Sequence, residues 1–387
     1  MLFASYGAIE MLLRTDAERF QISFDRVALL VAAFGTYAVL SAFWAPSHWH
    51  AVIAGGQFIA LACLASIANK YTGTRTQGEL PSVILGTCAG ITLGTLFVSI
   101  DAITNLELSR IILTSIPELQ DRYQFKHLIV ENGIVVWASD AFTNRPTTVA
   151  ALFLIPGLYL AKQLGPRAFW SFTLPAPLFI VCAAVMHNQA AQISLIFAFV
   201  VGLLAKYSLT IARGLTLTVW LVAVSCSPLI ALGMHAYHLQ DETRLPESAR
   251  QRVLIWAATA NQIADHPILG LGTGAAQFLN DRKILTLPDG AQAFRPPPAR
   301  HAHNVFLQSW HELGALGAFL LLMTGLSMIG KIDSLPTDAQ RFALAHFALN
   351  IGLMASSYSI FQWWYLGAVA VSVLLFCYGV RLSENSV

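Results

Sequence analysis

Apolar runs of membrane-spanning length recur along the whole chain, with two long polar stretches between them. A span needs about 20 apolar residues, and such runs fall at about 27–43, 51–68, 82–100, 148–163, 169–186, 190–206, 214–234, 312–330, 342–357 and 364–381. In the first polar stretch, 101–147, the segments LELSRIILTSI and HLIVENGIVVWASDAF are too short or too interrupted to span. They read as interfacial or re-entrant helices. The second stretch, about 235–303, contains ESARQRVLIWAATANQIADHPILGLGTG. Val253, Trp256, Ala257, Ala260 and Ile263 share one helical face there, which predicts an amphipathic helix lying on the membrane, capped by Ser248 and ended by Pro267. Pro296 to Pro298 favour an extended polyproline approach to His301. From Asn304 onward Phe306, Trp310, Leu313 and Gly317 recur at helical spacing, so a long helix begins near Asn304.

The pattern predicts an all-α polytopic membrane protein of about ten transmembrane helices. Its expected parts are N-terminal helices with an outer loop (1–147), central helices (148–234), a large outer loop with the amphipathic helix (235–303) and C-terminal helices (304–387). Composition agrees: 56% of residues are hydrophobic and 11% charged, against about 25% charged in soluble domains. A net charge of +2 gives no reason to expect nucleic acid. The five cysteines lie inside apolar runs without CxxC spacing, which suggests neither a disulfide framework nor a metal site. Arg14, Arg19 and Arg26 precede the first run with no cleavable signal pattern, so that run is expected to be an uncleaved anchor.

Lysines and arginines orient the spans. Lys70, Arg75, Lys162, Arg167, Lys206, Arg213, Lys331 and Arg341 fall in one set of loops, together with the N-terminal arginines and Arg381. The alternate turns APSHWH, MHNQ and SYSIFQ carry neither lysine nor arginine. The positive-inside rule then places both termini in the cytoplasm and both polar stretches outside.

Several groups gather on that outer side. His303 sits beside a helix start, where unpaired N–H groups and the dipole disfavour positive charge; a neutral histidine there can accept a proton. Arg252 lies one turn before Trp256, so its guanidinium is expected to pack along the indole, although an arginine in an interfacial helix also serves as a lipid headgroup anchor. Arg145 directly precedes a span, and Glu312 near a span boundary either orients a histidine or faces water. His301 and His303 offer two metal ligands without a third cluster at suitable spacing. Gly270, Gly272 and Gly274 lack the preceding strand of a nucleotide loop, so they are expected to permit tight turns or close approach. Arginine forks with a neutral histidine suit group transfer from a lipid-linked phosphate donor.

Arg252 to Gly274 reads R-x-x-x-W followed by HP-I-L-G-x-G-x-G, and His303 to Gly317 reads HNVFLQSWHELGALG. In order and separation these blocks resemble the O-antigen ligase and O-antigen polymerase family, and TNRP before a span, with Arg145, fits the same pattern. The resemblance runs roughly from Asn144 to the C-terminus. It implies a GT-C-like glycosyltransferase, independent of metal and other cofactors, in the bacterial inner membrane with a periplasmic active site. The donor would be an undecaprenyl pyrophosphate-linked glycan, transferred with inversion to a hydroxyl of lipid A core. The alternative acceptor, in a polymerase, is another lipid-linked glycan. On this chain Arg252 would stabilise the departing pyrophosphate, His303 would deprotonate the acceptor and Arg145 would be a second phosphate contact. Gln189, Arg295, Arg300, His301 and Trp256 complete the expected substrate-binding set.

Two features depart from the family pattern. Many members carry Ser-Arg where this chain has Asn188-Gln189, so Arg295 or Arg300 would stand in for the missing arginine. The N-terminal part is also short, giving about ten spans in all where ligases of this family commonly have twelve. A lipid-linked sugar transporter would instead carry broken helices and midplane charges, and these spans are almost free of charge.

Overall fold

The computed structural model describes residues 25–74, 80–120, 128–173, 188–278, 284–286, 288–290, 292–294, 301–356 and 358–385. Arg14, Arg19, Arg75, His187, Arg295, Arg300, the proline run and most of the predicted 169–186 span lie outside these residues.

The described chain is mostly helical: α1 (Arg26–Leu40), α2 (His48–Thr74), α3 (Leu80–Ile103), α4 (Glu107–Ser115), the hairpin β1 (Leu128–Glu131) and β2 (Ile134–Ala138), α5 (Asn144–Gln163), α6 (Pro166–Thr173), α7 (Gln189–Tyr207), α8 (Leu209–Ser225), α9 (Ser227–Ala236), α10 (Glu247–Ile263), the hairpin β3 (Ile284–Thr286) and β4 (Gln292–Phe294), α11 (Val305–Ile332), α12 (Thr337–Ser356) and α13 (Trp363–Asn385). Among the described residues five helical stretches are long and apolar enough to cross a membrane: Arg26–Phe43, His48–Ile67, Gln189–Tyr207, Val305–Ile332 and Trp363–Ser383. Two bent pairs bring the number to as many as seven, α3 with α4 at 103° and α8 with α9 at 75°. The predicted continuous span at 214–234 is therefore two helices that part at Cys226. The segments expected at 148–163 and 342–357 are α5 and α12, which carry buried polar side chains such as Thr147, Thr148 and His346. Helices enclosed by other helices tolerate such residues better than helices facing lipid.

Small residues set how closely these helices approach. Ala190, Ser194, Ala198, Val201 and Ala205 form the buried face of α7, which packs against α12. A Cβ on Gly352 would lie 2.5 Å from Ser194 Oγ, so the two backbones nearly touch. At one end of the bundle Lys162 pairs with Asp338 and Arg213 with Asp333, each at 2.7 Å, and Lys331 pairs with Asp25. The helices that end there, α5 and α11, begin at the opposite end with Asn144 and Val305.

The 101–147 stretch corrects an expectation. LELSRIILTSI does form a short helix, α4, and the buried Asp101 carboxylate braces its corner by accepting the Ser109 N–H at 2.9 Å and the Ser109 hydroxyl at 2.6 Å. HLIVENGIVVWASDAF is not a helix but mainly the antiparallel β1–β2 hairpin. Asn132 and Gly133 have φ of 50° and 80°, the conformation of the tight turn that Asn-Gly favours between paired strands. Leu128, Val135 and Ala138 pack against Leu106 and Leu113 beside and within α4.

Candidate functional site

Helix α11 starts as its sequence dictates. Asn304 caps it, with Oδ1 accepting the Leu307 N–H at 3.0 Å. Ten residues on, the helix breaks at Gly314, whose φ of 61° and ψ of −160° are not helical. The glycine segment after α10 fills the break. Leu271 and Gly272 donate to the carbonyls of His311 and Glu312 at 3.0 and 2.8 Å, while Ala315 and Leu316 donate to those of Pro267 and Ile268 at 2.9 and 3.4 Å. The polar backbone groups freed by the break are thus paired. Gly270, Gly272 and Gly274 all have positive φ, and a Cβ on Gly270 would lie 2.5 Å from Gly314 N. Tight turning and close approach are what the sequence predicted of these glycines. Of the two readings of Glu312, facing water is overturned: it is fully buried, and accepts the Gly274 N–H at 2.6 Å and the Gln308 amide at 2.9 Å.

Helix α10 departs from its predicted setting in three ways. Its apolar face packs into the protein, where Ala260, Ile263 and Trp256 meet Ala231 of α9 and Leu307 of α11, and so does not lie on lipid. The N-cap position is Pro246 rather than Ser248; the Ser248 hydroxyl instead reaches Gln189 Oε1 at 3.5 Å. Among the described residues Arg252 makes no cation–π contact with Trp256; that geometry belongs to Arg145, whose guanidinium lies 5.5 Å from the Trp364 ring centre. The Trp256 indole N–H donates to the Ala302 carbonyl at 2.7 Å.

These contacts close into a ring. From α10, the Trp256–Ala302 bond leads to the His301–His303 segment. His301 Nε2 lies 3.5 Å from the Gln362 side-chain amide in the 358–362 turn. In that turn Tyr358 donates to the Asn144 carbonyl at 3.1 Å, which leaves the Thr148 hydroxyl as donor to Tyr358 Oη at 2.8 Å. Asn188 Nδ2 donates to the same Asn144 carbonyl at 3.2 Å, and Gln189 beside it returns to Ser248 of α10. The ring joins the N-terminal ends of α5, α7 and α11, none with an acidic residue in its first turn. Their partial positive charge is therefore uncompensated by carboxylates there, a setting that attracts anions.

Two guanidiniums add to that field. Arg145 is exposed in the first turn of α5, and Arg252 is half-buried on α10. Burial lowers the Arg252 pKa from its ordinary value, opposed by the nearby Tyr358; an arginine so shifted stays charged at neutral pH. Burial raises the Tyr358 pKa, opposed by the Thr148 hydrogen bond and by the charges of Arg145 and Arg252. His301 is buried, His303 half-buried, and their ring centres lie 4.2 Å apart.

The structure therefore unites Arg145, Gln189, Arg252, Trp256, His301 and His303, while Arg295 and Arg300 lie outside the described residues. Sequence reasoning missed Tyr358, Gln362 and Thr148. The available signal was the turn SYSIFQ itself, a polar turn on the same side as the histidines and free of lysine and arginine.

Residues 174–322 match the O-Antigen ligase family, a stretch that contains Gln189, Arg252, Trp256 and both ring histidines but not Arg145 or Tyr358. Proteins named as candidate polysaccharide ligases are similar over part of the chain. Those of Rickettsia typhi and Rickettsia prowazekii are each 31% identical over 153 residues, 38% of this chain and 37% of the relative. That of Rickettsia conorii is 29% identical over 153 residues, 38% of this chain and 36% of the relative. The aligned stretch spans well under half the length of these relatives. The matched stretch carries both sequence blocks that form one side of the polar ring, and over those residues the chain is similar to the O-antigen ligase family.

Proposed function

We propose that this protein is a metal-independent, inverting glycosyltransferase of the bacterial inner membrane, GT-C-like, with about ten spans, cytoplasmic termini and its active site on the periplasmic face. It moves a glycan from undecaprenyl pyrophosphate to a hydroxyl of lipid A core. His303 takes the proton of the acceptor hydroxyl, whose oxygen bonds to the anomeric carbon. The bond from that carbon to the pyrophosphate breaks with its electron pair going to the pyrophosphate. Arg252 and Arg145 stabilise the charge that develops there. Pyrophosphate is already a good leaving group, so positioning and charge stabilisation supply much of the catalysis.

The observation that supports this reading best is that Arg145, in the first turn of α5, stands beside a ring in which Tyr358 and Asn188 hold the Asn144 carbonyl and Gln189 meets Ser248 of α10, the helix that carries Arg252. The test is transfer from a lipid-linked glycan by the membrane-inserted protein. His303→Ala is expected to abolish transfer while the protein stays in the membrane, and full activity would remove it as the base. A deletion strain identifies the acceptor: loss of polymer on lipid A while lipid-linked polymer accumulates means ligase, and single repeats alone mean polymerase.

A further inference from the structure

We infer that His301 is a positioning residue that fixes the backbone of His303 through a side-chain-to-backbone turn; this rests on the proposed role of His303. His303 has φ of 54°, a left-handed conformation that a non-glycine residue keeps only when its surroundings impose it. The group that imposes it is visible. The His303 N–H donates to His301 Nδ1 at 3.1 Å. Asparagine and aspartate make this i to i+2 bond with Oδ1 in Asx turns, and histidine Nδ1 is attached at the same place on Cγ. His301 thus acts as an aromatic version of an Asx residue, immediately before an Asn304-capped helix.

Three further contacts keep it there. The Trp256 indole holds the intervening Ala302 by its carbonyl, the two imidazoles lie 4.2 Å apart at 43°, and Gln362 faces Nε2. Since Nδ1 accepts, the proton of a neutral His301 sits on Nε2, and the Gln362 amide meets it best with its oxygen. Segment 301–303 is therefore clamped from α10 on one side and from the 358–362 turn on the other.

Two polar substitutions separate the two nitrogens. His301→Asn keeps an acceptor at the δ position and loses the reach of Nε2; His301→Gln keeps the reach and loses the δ acceptor. The experiment measures kcat and donor KM for both, together with amide hydrogen exchange of the peptide containing His303. His301→Gln is expected to lower kcat at least about tenfold with donor KM little changed, and to accelerate exchange at His303, as for loss of one part-buried hydrogen bond. His301→Asn is expected to recover most of kcat and all of the protection. An active Gln variant beside an inactive Asn variant would overturn the inference, because Nε2 would then be the working atom. Equal exchange in all three proteins would overturn it as well. If exchange responds as expected while kcat does not, the positioning stands and the role of His303 as base fails.

Discussion

The indole N–H of Trp256 donates to the carbonyl oxygen of Ala302 at 2.7 Å, tying the middle of α10 to the residue between the two ring histidines. Ala302 is 2% exposed. Trp256→Phe would leave that carbonyl buried without its indole donor, at a cost of about 1–3 kcal/mol. The expected outcome is a lower thermal midpoint in detergent and a several-fold lower kcat. Parental values for both would show the bond to be incidental.

Tyr358→Phe removes the hydroxyl that bonds Asn144 and Thr148. The start of α5, and with it Arg145, loses a brace from the 358–362 turn. Donor KM is expected to rise about tenfold, the effect of about 1.4 kcal/mol, with kcat reduced less. Steady-state kinetics with a lipid-linked glycan would decide it; a change in kcat alone would contradict the assignment to donor binding.

Arg252→Lys is expected to weaken donor binding at all pH values, because an ammonium cannot replace a bidentate fork. It should also acquire a pH dependence. Burial lowers the pKa at this position, and lysine starts from about 10.4 rather than 12.5 or above. The cationic form of the variant is therefore lost as pH rises through the depressed lysine value, while the arginine stays charged. Donor affinity should fall with rising pH in the variant and stay level in the parent; parallel profiles would refute the phosphate role.

Gly314→Ala should prevent folding rather than adjust activity. Its Cβ would lie 2.3 Å from the Ile268 carbonyl oxygen at a φ of 61°. Displacing that backbone costs on the order of 4 kcal/mol, among the largest single-residue effects. Recovery of folded protein after membrane extraction is the readout, and a normal yield would mean that the break can move.

Much of this arrangement was legible in the sequence because its signals were local. The periodicity of Phe306, Trp310, Leu313 and Gly317 places the start of α11 correctly, and the spacing HPILGLGTG announces unusual backbone at three glycines. Asn132-Gly133 carries an equally local hairpin signal, but apolar content between polar flanks resembles that of a short helix and masks it. The apolar face of α10 was real, yet periodicity does not say whether protein or lipid will cover it; α9 and α11 do. Spacing within one helix pairs Arg252 with Trp256, whereas the indole is engaged from 46 residues away. Tyr358 escaped because its importance comes from Asn144 and Thr148, more than 200 residues earlier, and no window along the chain brings them together.

The break at Gly314 has a mechanical consequence. An uninterrupted helix from 305 to 332 would act as a lever, carrying any tilt of its membrane-embedded half up to residue 303. Here the backbone on both sides of the break, at 311–312 and at 315–316, is bonded to the 267–272 segment. The first ten residues of α11 and the 267–272 segment therefore form one block beside the polar ring, and the histidines stand on that block rather than on the free end of a span.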